Sequence, residues 1–198
     1  MRHIITITHL TLDGVMQSPG PGEDASGGFT QGGWSAAYRD EEKGKFITEM
    51  MSHEFDMLLG RRTYDNFARF WPNAGDNPIA KAFNKATKYV ATNTLDTFDW
   101  ANTRCLSGNV VDAVRTLKAS DGPDLHVWGS SELIQALNGA DLIDEFRVMV
   151  YPVVVGTGKR LFGNGAPARA LTLVQSIKTA KGILLNTYRL AGSIPAGS

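Results

Sequence analysis

The order in which strand-like and helix-like segments follow one another constrains the fold of this chain more than any other feature. Over the first two thirds, short apolar or β-branched runs alternate with segments whose apolar residues recur at helical spacing. Over the last third, residues 145–156, 171–179 and 182–190 all have strand character and are joined by glycine-rich turns. This order predicts an α/β fold, in which a central, mixed, mostly parallel sheet is flanked by helices and finished by antiparallel C-terminal strands.

Two segments define the beginning of the predicted sheet and its first helix. Residues 2–10 form a dense β-branched run, which indicates a strand buried on both faces and therefore central in its sheet. Residues 36–54 predict a helix whose apolar stripe is imperfect at Gly44. The other predicted strands are 56–59, 88–93 and 125–129, and the other predicted helices are 63–70, 79–86, 109–120 and 130–137.

Length and composition limit the class of protein. The chain has 198 residues, enough to bury a substantial core, and we expect a single domain over residues 1–198. Lys and Arg total 20 and Asp and Glu total 20, so no overall charge favours nucleic acid or a membrane surface as a partner. Cys105 is the only cysteine, which excludes an internal disulfide and a zinc cluster of thiolates. No apolar run has the length of a membrane span, so we expect a soluble, cytoplasmic protein.

The segment between the first strand and the first helix has a different composition. Residues 13–33 are rich in Gly, Pro, Ser and Gln, and the stretch 17–28 reads QSPGPGEDASGG. Loops of this length in compact domains are usually lids over a site or disordered segments. We expect residues 18–33 to form a mobile lid.

Familiar ligand-binding motifs are missing. Gly156 and Gly158 follow a strand, but Leu161 occupies the third glycine position of a dinucleotide fingerprint, and the surrounding sequence is not helical. These glycines are therefore expected to turn the chain or to allow a close backbone approach. The four histidines lack metal-ligand spacing, and no serine lies in a nucleophile elbow, so we predict neither a metal site nor a serine hydrolase.

Two strand–turn–helix junctions carry the chemistry that remains. At the first, Gly60 and Thr63 enclose Arg61 and Arg62, and at the second, residues 129–131 read GSS. The start of a helix repels cations but holds phosphate well, because its N–H groups are unpaired and its dipole is positive there. Two such junctions at the ends of parallel strands could hold the two phosphates of a dinucleotide. The alternative is that the arginines are solvated or pair with Asp56 or Asp65 and that the serines only cap a helix.

Five segments in order resemble the dihydrofolate reductase-like superfamily. The likeness is greatest to the reductase domain of the bifunctional riboflavin-biosynthesis deaminase–reductase and to its stand-alone bacterial relatives. The segments are TLDGVM at 11–16, GRRTYDNF at 60–67, YVATN at 89–93, VWGSSELIQAL at 127–137 and YPVVVGTGKRLF at 151–162. The resemblance implies a mixed sheet of about eight strands that binds NADPH across the strand ends. It also answers why the arginines are tolerated, since they would hold the cofactor phosphates.

The resemblance implies three groups of cofactor-binding residues. The first junction would hold the phosphates, including the 2′-phosphate that distinguishes NADPH from NADH. The end of the next strand would contact the adenosine phosphate, and the second junction would form the glycine-rich cofactor turn. Backbone groups of the first strand would face the nicotinamide, with Met16 in the loop that closes over it. These residues are Thr8, His9, Met16, Gly60, Arg61, Arg62, Thr63, Thr92, Asn93, Gly129, Ser130, Ser131 and Leu133.

The substrate side matches the superfamily less closely. Asp13 is expected to shape the reacting end, and Asp40 is read either as a general acid or as a helix-start acid favoured by the dipole. Trp34, Tyr38 and Tyr151 are candidates for lining the substrate, although buried aromatics of this kind also serve as core. A zinc deaminase signature is missing, so the partner domain of the bifunctional enzyme is not part of this sequence.

The sequence therefore predicts an NADPH-dependent reductase that transfers hydride to a C=N or C=O bond of a small heterocyclic or sugar-linked substrate. A 5-amino-6-(5-phosphoribosylamino)uracil reductase is the first reading, and a dihydrofolate reductase-like pterin reductase is the second. A nucleotide-binding module without turnover is the rival from another class. A homodimer is expected from the strand-rich C-terminal part and from the resemblance, since residues 146–155 are predicted to form an apolar edge that needs cover.

Overall fold

The computed structural model describes residues 1–195 and contains eight strands and five α-helices within that range. The strands are β1 Ile4–Thr11, β2 Phe55–Gly60, β3 Lys88–Ala91, β4 Thr103–Leu106, β5 Asp124–Trp128, β6 Glu145–Tyr151, β7 Ala170–Lys178 and β8 Leu184–Gly192. The helices are α1 Glu41–Met50, α2 Arg61–Phe70, α3 Pro78–Lys85, α4 Val110–Ala119 and α5 Ser131–Gly139, with short 3-10 turns at Ser26–Gly28 and Trp71–Asn73.

The strands form one sheet in the order β4-β3-β2-β5-β1-β6-β8-β7. Every pair from β4 to β6 is parallel, whereas β6 with β8 and β8 with β7 are antiparallel. The predicted mixed, mostly parallel sheet with antiparallel C-terminal strands is confirmed. The predicted central position of the first strand is also confirmed, since β1 lies between β5 and β6 and its apolar residues are buried.

Helices cover both faces of the sheet. Met57 and Leu59 of β2 belong to a core shared with α1, α2 and α3, whereas Leu58 between them belongs to a core shared with α4 and α5. The side chains alternate because successive residues of a strand point to opposite faces. Leu58 has no exposed surface, and complete burial of such a side chain contributes about 2 kcal/mol to folding.

Helix α1 is shorter than the sequence pattern predicts, beginning at Glu41 rather than at residue 36. The oxygen Oδ1 of Asp40 accepts hydrogen bonds from the backbone N–H groups of Glu42 at 2.9 Å and Lys43 at 3.3 Å. This side chain satisfies two of the unpaired donors at the helix start and so fixes the beginning of the helix.

Strand β4 was missed, because its four residues are half-exposed or exposed and show no apolar alternation. It pairs with β3 alone, where Lys88 lies opposite Thr103.

Helix α2 begins earlier than predicted, at Arg61 instead of residue 63, directly after the last residue of β2. Both arginines are therefore in the first turn of the helix.

The prediction that residues 146–155 form an apolar edge is wrong. Strand β6 lies inside the sheet between β1 and β8, and the antiparallel edge is β7. That edge exposes Leu171, Leu173 and Val174, whose exposed fractions are 39%, 52% and 48%. A homodimer stays a prediction, and β7 is now the surface on which it would form.

Over residues 1–195, no helix has the length and apolar character needed to cross a bilayer. Within the same range, no three His, Cys, Asp or Glu side chains are grouped to hold a metal ion.

Candidate active site

A cavity of about 780 Å³ opens at the carboxyl ends of β2 to β5 and beside the second half of β1. Ligands of open α/β sheets bind at this edge, where the loops that follow parallel strands meet. The cavity is lined by all thirteen residues predicted to bind the cofactor, namely Thr8, His9, Met16, Gly60, Arg61, Arg62, Thr63, Thr92, Asn93, Gly129, Ser130, Ser131 and Leu133. Residues far apart in the sequence are thus brought to one concave surface.

The two junctions are hydrogen-bonded directly to each other. The backbone N–H of Gly60 donates to Ser130 Oγ at 2.9 Å, and the backbone N–H of Ser130 donates to Thr63 Oγ1 at 3.0 Å. Ser130 Oγ in turn donates to the carbonyl of Trp128 at 2.9 Å. The side chain of Ser130 does not cap α5, as one reading of the sequence expected, because its hydroxyl is used to join the junctions.

Gly129 is required by the closeness of this contact. Its φ of +54° lies in the left-handed region, and a Cβ at this position would lie 3.2 Å from Thr63 Oγ1. An L-residue would therefore meet both backbone strain and the side chain that accepts from Ser130.

The helices that begin at these junctions differ from the others in how their first turns are satisfied. Helices α1, α3 and α4 are capped by the side chains of Asp40, Asn77 and Asn109. Among the described residues, no side chain caps α2 or α5. First-turn residues of both helices line the same cavity, and N–H groups at an uncapped helix start are suited to anions.

Both arginines line the cavity, and both form ion pairs. Arg61 Nε donates to the two carboxylate oxygens of Asp65 at 2.8 and 2.9 Å. Arg62 pairs with Glu132 of α5 at 3.1 Å, with both side chains mostly exposed. The predicted alternative of an Asp65 pair is therefore confirmed for Arg61. The pair uses Nε, so the terminal guanidinium nitrogens keep donors for an anion.

Two residues that line the cavity each carry a buried polar atom with no hydrogen-bond partner in the described part of the chain. The two atoms are Thr8 Oγ1 and Trp128 Nε1, on residues that are 1% and 6% exposed. An indole N–H usually finds an acceptor when it is buried, and an unpaired buried donor costs about 1–3 kcal/mol. A ligand group that reached either atom would therefore recover part of that cost.

His9 belongs to a hydrogen-bonded aromatic group behind the cavity. Its Nδ1 lies 2.7 Å from the hydroxyl of Tyr151, which is fully buried. The rings of Trp34 and Tyr38 pack edge-on against Tyr151, with centroid distances of 5.3 and 5.6 Å. Lys43 Nζ lies 5.6 Å from the centroid of the same ring.

Burial sets the protonation of this pair. Burial, and next the charge of Lys43, lowers the pKa of His9 to about 4, whereas burial raises the pKa of Tyr151. The Tyr151 hydroxyl keeps its proton, and its one partner within residues 1–195 is His9 Nδ1. The hydroxyl therefore donates to Nδ1, and the neutral imidazole carries its own proton on Nε2.

The loop between β1 and α1 folds over the cavity. Asp24 pairs with Lys159 at 2.8 Å, Trp34 Nε1 donates to the carbonyl of Gln17 at 2.9 Å, and Asn66 donates to the carbonyl of Glu23. Glu23 lines the cavity, and burial raises its pKa despite a hydrogen bond from a backbone N–H. The predicted lid is thus placed over the site, and its motion stays a prediction.

The family model of the RibD C-terminal domain matches residues 2–185. The chain belongs to the RibD C-terminal domain family. It is 26% identical over 195 residues to the uncharacterized protein YyaP of Bacillus subtilis (strain 168), covering 96% of each chain. It is 28% identical over 106 residues to the uncharacterized protein YwjB of the same strain, covering 54% of this chain and 57% of that one.

Solved structures agree with the fold of this RibD C-terminal domain. A protein from Shewanella sp. PV-4 that is named for riboflavin biosynthesis superposes on this chain with a TM-score of 0.66 at 20% identity, over 96% of this chain and 99% of that chain. Dihydrofolate reductase from Enterococcus faecalis, complexed with NADP(H) and RAB-propyl, gives a TM-score of 0.61 at 13% identity over 96% of each chain. A pyrimidine reductase-like protein from Corynebacterium diphtheriae gives 0.60 at 10% identity, over 98% of this chain and 93% of that chain. The dihydrofolate reductase-like fold is confirmed.

The two carboxylates predicted to be catalytic do not line the cavity of this RibD C-terminal domain. Asp13 accepts hydrogen bonds from the Thr11 hydroxyl at 2.6 Å and from Gly156 N–H at 2.9 Å. The Thr11 bond lowers the pKa of Asp13, which makes it a poor proton donor. Asp40 caps α1 and also accepts from Lys181 N–H at 3.1 Å, so the helix-start reading is the correct one.

The aromatic candidates have an indirect position. Trp34, Tyr38 and Tyr151 pack on one another and do not line the cavity, so they support His9 from behind. Trp128 and Lys43 were not predicted as site residues from the sequence. Trp128 directly precedes the second junction, and a tryptophan at the end of a buried strand was the signal that could have identified it.

Proposed function

We propose that this RibD C-terminal domain is an NADPH-dependent reductase that transfers hydride to a C=N or C=O bond of a small conjugated substrate. Membership of a reductase family supports the reaction class. The observation that carries the proposal is the convergence of two uncapped helix starts and two arginines on one cavity. Such an arrangement fits a ligand with several phosphate charges better than a single anion.

The residues present fit the cofactor in charge and in space. The first turns of α2 and α5 would receive the pyrophosphate, and Arg61 and Arg62 would receive the 2′-phosphate. Thr92 and Asn93 line the neighbouring end of the cavity, with Asn93 Oδ1 held by the N–H of Gly108 at 2.6 Å. Thr8 lines the cavity from β1, which is separated from β3 by β2 and β5, and its Oγ1 is an unpaired buried group. NADPH would supply the hydride.

His9 would act on the substrate side. Its Nε2–H is a neutral donor held in place by Tyr151, and it would hydrogen-bond the oxygen or nitrogen atom on which negative charge develops. Tyr151 is a positioning residue, because it touches His9 and not the cavity. The loop between β1 and α1 would exclude water during the transfer.

Arg61→Ala tests the cofactor assignment. We expect NADPH binding to weaken at least tenfold, about 1.4 kcal/mol, and NADH binding to change little, because NADH lacks the 2′-phosphate. Titration calorimetry with NADPH, NADH and ATP measures all three. Arg69→Ala is the matched control, since Arg69 lies in the last turn of the same helix and does not line the cavity.

Equal losses for NADPH and NADH would contradict the phosphate assignment. A protein that binds ATP as well as NADPH and shows no loss of NADPH absorbance with any carbonyl or imine would instead be a nucleotide-binding module. No binding of any of the three nucleotides would overturn the proposal.

A further inference from the structure

Four aromatic side chains, Phe67, Trp71, Phe83 and Trp128, line the cavity and lie close to one another, and we call them the aromatic wall. The ring centroid of Phe83 lies 5.8 Å from that of Phe67, 4.9 Å from that of Trp71 and 5.1 Å from that of Trp128. Phe67 follows Arg61 by six residues in α2, about 9 Å along the helix axis. The wall therefore begins well beyond the arginines and suits a flat ring system.

Charges are distributed unevenly around the cavity. Its charged lining residues, within the described chain, are Glu23, Asp24, Arg61, Arg62, Glu132 and Lys159. The arginines lie at the start of α2, and Lys159 is paired with Asp24. Arg61 and Arg62 share α2 with Phe67 but lie six and five residues before it, and the other four charged residues lie outside the segments that form the aromatic wall. A substrate phosphate placed against the wall would lose its hydration without gaining a cation, which is strongly unfavourable.

The wall side offers hydrogen-bond donors. Trp128 Nε1 has no partner among residues 1–195, and His9 Nδ1 is used by Tyr151, which leaves the Nε2–H. In the parallel pairing of β1 with β5, Ile7 lies opposite Trp128, and His9 follows Ile7 by two residues on the same face. Neighbouring strands lie about 4.8 Å apart and rise about 3.3 Å per residue, so the Cα atoms of Trp128 and His9 lie about 8 Å apart. An indole N–H is a donor only, so the ligand must present acceptors.

We propose that the substrate is a flat, uncharged, conjugated carbonyl compound without a phosphate group, whose acceptor atoms are held by Trp128 Nε1 and His9 Nε2. This inference rests on the proposed reductase function and narrows its substrate. The hydride adds to the carbonyl carbon, the electron pair of the C=O bond moves to oxygen, and that oxygen takes a proton from solvent. One NADPH and one proton are consumed, and NADP⁺ and an alcohol are formed. When the substrate is a quinone, this alcohol is a hydroxyketone, which then tautomerises to the hydroquinone.

The test compares two probes on the full chain saturated with NADPH. The first is 1,4-naphthoquinone, which is flat and uncharged and has an acceptor oxygen on either side. The second is 5-amino-6-(5-phosphoribosylamino)uracil, which carries a phosphate group. The aromatic wall offers no cation to pair with that phosphate. We expect kcat/KM to favour naphthoquinone by at least about tenfold, with binding of each probe followed separately by calorimetry.

Trp128→Phe keeps an aromatic ring in the wall and removes the donor. We expect KM for naphthoquinone to rise about threefold to tenfold, as for loss of one neutral hydrogen bond, with the Kd of NADPH unchanged. The matched control is Trp100→Phe, because Trp100 is also buried and its Nε1 donates to Asn84 Oδ1, outside the cavity lining. That control should lower stability and leave KM unchanged.

Faster reduction or tighter binding of the phosphoribosyl compound would overturn the inference, and so would an unchanged KM in Trp128→Phe. NADPH binding with neither probe bound or reduced would overturn it as well, while leaving the cofactor assignment in place. Failure of NADPH itself to bind would instead refute the proposed function, so the two failures are distinguishable.

Discussion

Replacing Ser130 with alanine removes the hydroxyl that joins the two junctions. Gly60 N–H then loses its acceptor, and the carbonyl of Trp128 loses a donor. An unpaired donor in this half-buried position costs about 1–3 kcal/mol, and the second bond adds a smaller amount. We expect the free energy of unfolding to fall by about 2 kcal/mol, which lowers the urea midpoint by about 1 M for a chain of this size.

Two companion variants separate the hydrogen bonds from other effects. Ser131→Ala changes the next residue, whose hydroxyl makes no side-chain hydrogen bond to the described chain, and its stability should stay within about 0.5 kcal/mol of the parent. Ser130→Gly removes the same hydroxyl but relieves the positive φ of 59°, so it should be more stable than Ser130→Ala by about 1 kcal/mol. Urea unfolding followed by circular dichroism measures all three. An unchanged midpoint in Ser130→Ala, or an equal loss in Ser131→Ala, would refute the proposed link.

Two further predictions follow from the buried groups. Burial, and next the charge of Arg147, lowers the pKa of His126 to about 4, so the unfolded state takes up a proton near pH 6.5 that the folded state does not. Stability should therefore fall as the pH drops from about 6.5 to 4, by up to about 3 kcal/mol from this residue, and His126→Phe should remove roughly half of the fall, since His9 contributes with the same sign. Urea unfolding at a series of pH values checks this, and an unchanged slope in the variant would contradict it. Tyr151→Phe keeps the rings packed and frees His9 Nδ1, so kcat should fall several-fold while the Kd of NADPH stays unchanged. Steady-state kinetics with calorimetry measures both, and an unaltered kcat would remove Tyr151 from the positioning role.

The parts of the fold that the sequence predicted are those set by local patterns. β1 has a β-branched run that only a central strand accommodates, and the Gly60–Thr63 junction shows its turn, its helix start and its charges within four residues. β4 escaped prediction because its pairing with β3, and not any pattern of its own, makes it a strand. Helix α1 begins at Glu41, later than the sequence pattern predicts, because the side chain of Asp40 caps the helix there.

The sequence predicted the parts of the site in which neighbouring residues form a phosphate-binding turn. It did not predict the parts that depend on contacts between residues far apart in the chain. The Gly60–Ser130 bond joins residues 70 positions apart, and the sequence predicted Ser130 as a cofactor contact or a cap but not as the link between the junctions. The aromatic wall draws on α2, the turn after it, α3 and β5, so no single stretch displays it. Asp13 and Asp40 were predicted from their positions in the resemblance, and only the structure shows that Asp13 accepts from Gly156 N–H and that Asp40 caps α1 and accepts from Lys181 N–H.

The central claim is that the first turns of α2 and α5 grip one dinucleotide together. Hydrogen–deuterium exchange with and without saturating NADPH tests it most directly, because it reads the backbone N–H groups themselves. We expect peptides covering residues 60–63 and 130–133 to gain protection together and at the same NADPH concentration. Protection at one of these segments alone, or at neither while NADPH is bound, would contradict it.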